Sequence, residues 1–338
     1  MRRSILYLFM MVAALATMGC REQFNKATGE GGNSSPKTSI GEPYEVFVIC
    51  NDSHWESHIK EAATMVLEDE VPGLVRPEKF FHIIDHKSSD KANDLERKHS
   101  NILAVRIDVT NEKASINISE DVYATHQVIV TVHSPSVAEA AQCIIDCGDV
   151  IRKAFDDNER TIHHKHLCGS ISEEPIKIVK NLTGLDMHIP GGFSVAKPSK
   201  NILKWFVRKY ANKAQHIFVF TEPCEDINNM TPDDLEKVVD DHIGVITVED
   251  EEDTSMRISK SRPFYFNPEP KEFNGRDWYE ARCCWDVDGY PLGGSMVCYY
   301  HYDEANKRLI TIAFALFSPE QPHRHDMAQL ESLMYLVK

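Results

Sequence analysis

Tyr44-Glu45-Val46-Phe47-Val48-Ile49-Cys50 carries apolar side chains on both alternating faces, which predicts a strand covered on both sides of a sheet. A helix is expected directly after it. Ser53 and Glu56 have the spacing of a capping box, and Trp55, Ile59, Ala62, Ala63, Val66 and Leu67 fall on one stripe at helical spacing. A doubly covered strand followed by an amphipathic helix implies layers of helix on sheet. The expected fold is therefore α+β, with mixed or antiparallel sheets covered by helices.

Further strands are expected at Phe80–Ile84, Ile102–Val109, Ala114–Ile118 and Gln127–His133, with a polar helix at Asp90–His99. A second long helix follows Ser134-Pro135, with Val137, Ala140, Ala141, Ile144, Gly148 and Ile151 inward. The charged passage Asp156–Glu174, containing His163-His164-Lys165-His166, reads as the junction between an N-terminal half, 44–160, and a C-terminal half, 175–338. The second half opens with strands at Leu185–Val195, Ile202–Arg208 and His216–Phe220. Thr231-Pro232-Asp233-Asp234 then supplies an N-cap, a proline at the first helical position and early acids. Three more strands precede a C-terminal helix whose inner face is Met327, Leu330, Met334 and Val337. Each half closes with a Ser-Pro turn and an amphipathic helix, which suggests two related halves.

In Glu280–Val287, Ala281, Cys283, Trp285 and Val287 alternate with Glu280, Arg282, Cys284 and Asp286. Cys283 and Cys284 should point to opposite sides of the sheet, which argues against a vicinal disulfide and leaves Cys284 as the accessible thiol. A redox role for Cys284 would need that accessibility.

The chain begins with the pattern of an export signal. Met1-Arg2-Arg3 is followed by an apolar run, Ile5 to Ala16, too short to span a bilayer comfortably, and then by Ala16-Thr17-Met18-Gly19-Cys20. Residues 1–19 are the expected signal peptide and Cys20 the expected lipidated N-terminus, although Thr17 stands where the usual pattern prefers Leu. Residues 20–43, rich in Gly, Ser, Asn and Lys, form a tether between lipid and folded body. The formal charge of −15 becomes more negative when Arg2 and Arg3 leave with the signal. Such a surface repels phosphate backbones, so nucleic acid is not an expected partner and contact with the bilayer falls to the acyl groups on Cys20. The other eight cysteines permit disulfides in an exported protein without fixing their pairing. Cys50 and Cys298 lie in apolar strands and read as small core hydrophobes.

Gly275-Arg276-Asp277-Trp278-Tyr279-Glu280-Ala281-Arg282, Trp285, Leu292-Gly293-Gly294 and Met327-Ala328-Gln329-Leu330-Glu331 resemble the C-terminal motifs of the domain of unknown function 4837 family. Gly41–Val46, Pro77–Phe80, Ser100–Leu103 and Asn201–Trp205 are similar to it as well. The resemblance implies an exported lipoprotein of the Bacteroidota, anchored in the cell envelope at the outer membrane, and carries no activity and no catalytic residues. The chain departs from the pattern at Pro322-His323-Arg324-His325 and at Cys283-Cys284.

Sixteen histidines raise a metal alternative. His54 and His58 have the spacing that lets two imidazoles share a zinc ion, but Glu56 does not directly follow the first histidine as a metalloprotease motif requires. His163, His164 and His166 form a second weak group. No nucleophile elbow or phosphate loop is present, and the acidic run Glu249–Asp253 lacks the glycine and alternating oxygens of a calcium loop. The reading is a lipid-anchored, non-enzymatic binding or assembly module without a cofactor, recognising an envelope protein, peptide or glycan. The alternative is a metal-dependent envelope hydrolase using a histidine cluster.

Overall fold

The computed structural model describes residues 37–167, 169–196, 203–248, 253–260 and 266–338, without the side chain of His166. The expected signal, Cys20, Cys168 and Glu249–Glu252 lie outside the described residues. Thr38–Lys338 form one compact unit.

The first sheet has five strands in the order β2-β1-β3-β5-β4. Three parallel pairs join β1 (Glu45–Ile49) to β2 (His82–Lys87), β1 to β3 (Asn101–Ile107) and β3 to β5 (Val128–Ser134), while β4 (Ser115–Glu120) is antiparallel to β5. As the apolar run on both faces of β1 requires, this strand is covered twice. Val46 and Val48 pack with the helices α1 (Lys60–Leu67), α2 (Val137–Asp146) and α3 (Gly148–Leu167), while Phe47 turns to Ile102, Ala104 and Ile129.

The entrance to α1 departs from the expected capping box. Asn51 is the cap: its Oδ1 accepts from the Ser53 N–H at 3.1 Å and from the Ser53 hydroxyl at 2.8 Å. Ser53 therefore lies inside a helical turn, Asp52–His54, followed by a wide turn, Trp55–Ile59, where Ser57 leaves helical geometry. The side chain that caps is the one nearest the first free amides, and Asn51 precedes Ser53. The polar helix expected at Asp90–His99 contracts to a single 3-10 turn, Glu96–Lys98.

The Asp156–Leu167 part of the expected junction is helical, because α3 runs on to Leu167 before α4 (Glu173–Thr183) begins. Its charges are spaced to support a helix: Arg152 pairs with Asp149, Lys153 with Asp157 and Arg160 with Asp157. Its inner side buries Phe155, Asn158, Glu159 and His163.

The second sheet is antiparallel, in the order β10-β11-β12-β13-β8-β7-β6, with β9 (Ser255–Ile258) on the far end of β11. Its strands are β6 (Ser194–Val195), β7 (Lys204–Lys209), β8 (Ala214–Pro223), β10 (Glu269–Phe273), β11 (Arg276–Asp288), β12 (Tyr290–Asp303) and β13 (Arg308–Phe317). Of the expected strand Leu185–Val195 only Ser194–Val195 forms a strand, and Pro190 makes an isolated bridge to Ile171; Leu185, Met187 and Ile189 are buried outside any strand. One face packs Val297, Tyr299, Ile312 and Phe314 against α4 and the C-terminal helix α6 (Arg324–Glu331). The other packs Phe218, Phe220, Cys283, Trp285 and Cys298 against α5 (Pro232–Ile243), whose N-terminus is closed by the Thr231–Asp234 capping box. One sheet is mostly parallel and the other wholly antiparallel, so their topologies do not repeat one unit despite the matching Ser-Pro turns.

Candidate functional site: a charged cleft over the polar face of β11

β11 alternates as its sequence requires, with Ala281, Cys283 and Trp285 on the α5 side. Its polar face is not open. The segment from Val71 to Phe81 crosses it, and at Gly73 (φ +75°) an added Cβ would stand 2.7 Å from the Arg282 Cβ. Only glycine fits so close an approach with that backbone angle. Cys284 Sγ lies 3.8 Å from the Gly73 carbonyl and is 2% exposed, as is Cys283. The expectation that Cys284 is accessible is thus overturned. Strand alternation identifies a face but not what covers it.

Beside this crossing lies a cleft of about 750 Å³ whose walls come from the 71–81 segment, α3, β10 to β12, α6 and Tyr335. Arg282 stands on its floor. Its Nε donates to Glu280 at 3.1 Å, and Nη1 and Nη2 donate to the two carboxylate oxygens of Glu331 at 3.0 and 2.6 Å. This is the parallel fork that guanidinium and carboxylate planes favour. Burial works to raise the Glu331 carboxyl, but the Arg282 charge and its hydrogen bonds outweigh it and hold the group below the usual carboxylate range.

A second guanidinium, Arg324, begins α6. It stacks over the Tyr44 ring at 4.0 Å and donates from Nη2 to Asp156 Oδ1 at 3.3 Å. Asp156 is shared, because Arg160 pairs with its other oxygen. Arg160 also lies over the Tyr335 ring at 4.2 Å, and Arg152 over Phe80 at 5.2 Å. Aromatic faces therefore hold three guanidiniums, while their edges are partly taken: Arg152 by Asp149, Arg160 by Asp156 and Asp157, and Arg324 by one long bond to Asp156. Such a set can grip an anion or a polar chain. Its carboxylate Glu331, held ionised, is unsuited to giving up a proton.

Tyr44 lies behind the cleft with a positive φ of 65°. Its hydroxyl is 3.1 Å from His163 Nε2, and burial pushes its pKa up. The His163 ring meets His325 edge-on at 5.0 Å. His164 Nε2 is 2.8 Å from the Ser332 carbonyl. His166 lies on α3 with its side chain outside the described residues. His54 is half-buried and His58 exposed, and the break at Ser57 stands between them. Among the described residues no group of three or more His, Cys, Asp or Glu side chains is placed to hold a metal ion. The cleft residues Arg152, Asp156, Arg160, Arg324 and Glu331 were not singled out as a site from sequence. Arg282 and Glu331 stand inside the motifs that carry the family resemblance, but they are 49 residues apart, and only folding joins them.

Residues 172–335 match the family model described as Domain of unknown function (DUF4837), and residues 39–167 match that of Domain of unknown function (DUF8532). The resembling segments at Asn201–Trp205 and from Gly275 onward lie in the first of these ranges, whereas Gly41–Val46, Pro77–Phe80 and Ser100–Leu103 lie in the second. A search of curated proteins finds no match. Both matched stretches contribute to the cleft, α3 and the 71–81 segment from one and β11 and α6 from the other. The chain carries a DUF8532 domain at residues 39–167 followed by a DUF4837 domain at residues 172–335.

Proposed function

We propose that the protein is an exported binding module of the cell envelope, anchored at the outer membrane by acyl groups on Cys20, which captures a ligand or partner in the charged cleft without transforming it. The observation that carries the binding reading is the cleft itself, about 750 Å³ with fixed guanidinium edges on its walls. The ionised state of Glu331 favours holding over proton transfer. The anchor reading rests on the order of basic start, short apolar run and small residues before Cys20.

The test is crosslinking in living cells of the wild-type chain against Cys20→Ala and Arg160→Glu. A partner recovered with the wild type, lost from the membrane fraction with Cys20→Ala and depleted with Arg160→Glu is the expected result. Equal recovery from all three would sink the reading, and release of an altered ligand by the purified protein would move it to catalysis.

A further inference from the structure

Arg324 is nine-tenths buried on the wall of the cleft, yet its donors are poorly used. Among the described residues its side chain makes one hydrogen bond, the long 3.3 Å contact from Nη2 to Asp156, and its Nε has no partner. Its stacking on Tyr44 engages the guanidinium face and fills none of the in-plane N–H groups, of which only Nη2 has a partner among the described residues. Asp156 is at the same time the partner of Arg160, so one carboxylate serves two guanidiniums. The charged lining is Arg152, Lys153, Arg160, Lys271, Arg282 and Arg324 with Asp156, Glu269, Glu272, Glu280 and Glu331, and Asp149 and Asp157 pair with Arg152, Lys153 and Arg160 from outside it. Most of these charges are matched, which leaves Arg324 as the buried guanidinium with unfilled donors.

We infer that the cleft binds a small organic acid by its carboxylate, which completes the hydrogen bonding of Arg324 beside the Arg160 guanidinium. The inference rests on the binding reading above and names its ligand class. A carboxylate presents two in-plane acceptors to the arginine edge, and the cavity has the size of a small-molecule site. A carboxylate of this kind ends a peptide or belongs to an acidic sugar. The chemistry at Arg324 is the same for both.

The test is calorimetric titration of the full chain, in detergent, with two matched pairs: acetylalanine against its uncharged amide, and glucuronate against glucose. Saturable binding of an acid, weaker by at least about tenfold in its neutral counterpart, is expected. A response to acetylalanine alone identifies a peptide end, and one to glucuronate alone an acidic sugar. Arg324→Met should weaken the bound acid by about 10- to 100-fold. Arg160→Met should act in the same direction if the first variant does not fold. The inference is overturned if no acid binds, if acid and neutral counterpart bind alike, or if the folded variants bind as the wild type does. Capture of a partner in cells reads the anchor and the assembly, so it can succeed where these probes fail, and the two failures are distinguishable.

Discussion

Arg282 and Glu331 form a two-pronged ion pair, with contacts of 3.0 and 2.6 Å, that ties the centre of β11 to the last residue of α6. Both side chains are mostly shielded from solvent. Removing Glu331 leaves the buried Arg282 with Glu280 as its remaining counter-charge and its forked donors unfilled, whereas removing both as apolar groups avoids most of that cost. Glu331→Ala is expected to lower unfolding free energy by about 3 to 5 kcal/mol and Arg282→Met, Glu331→Met together by clearly less. Urea denaturation of the two variants checks this; equal losses would show that the pair itself, rather than the stranded charge, sets stability.

Gly73 and Gly275 share a φ of +75° but differ in surroundings, since an added Cβ at Gly275 meets nothing within 4 Å. Alanine at Gly275 should therefore cost only the backbone strain, about 1 to 2 kcal/mol. Alanine at Gly73 adds the clash with β11 and should cost more, with loss of the cleft wall. Comparing the two melting temperatures measures the crossing directly.

His216 is pushed down to about 4, by burial and by the Lys209 charge. Its Nδ1 accepts from the Trp205 indole N–H at 3.0 Å, a bond that protonation there would remove. Burial also pushes His99, His323 and His325 down. In each case the unfolded chain takes up the proton first as pH falls below about 6.5, so stability is lost from there down to the lowered folded value, which for His216 is about 4. His216→Gln should flatten this loss by on the order of 2 kcal/mol, read as unfolding free energy at several pH values. A curve of unchanged slope would contradict the assignment.

The thiols of Cys283 and Cys284 should resist an alkylating reagent in the native protein and react only on unfolding, because both are buried and the contact with Cys298 together with burial raises Cys283. Cys147, half-buried just past the end of α2, should react earlier. Mass spectrometry of a time course orders the sites. Native labelling of Cys284 would mean that the 71–81 segment lifts from β11.

Local pattern was sufficient wherever a signal and its consequence lie within one element. Double-sided apolarity placed β1 in a sheet covered on both faces, Thr231-Pro232-Asp233-Asp234 placed the start of α5, and alternation assigned Cys283 and Cys284 to opposite sides. The charged run after Asp156 was a weaker signal because exposed helix and connector share a polar composition; its i,i+4 ion pairs resolve only when the helix forms.

What the sequence by itself determined was the α+β class, the buried strands and the expectation of a leader ending at Cys20, because each depends on periodicity or order within a short stretch. Tertiary structure alone decided that the polar face of β11 is covered by Gly73, that the sheets differ in topology, and that Arg282, Glu331, Arg324 and Asp156 share one cleft. Those relations join residues as far apart as Asp156 and Arg324. Long-range charge and packing leave no local period in a sequence, because any of many acids could have met a given arginine until the chain closed around one of them.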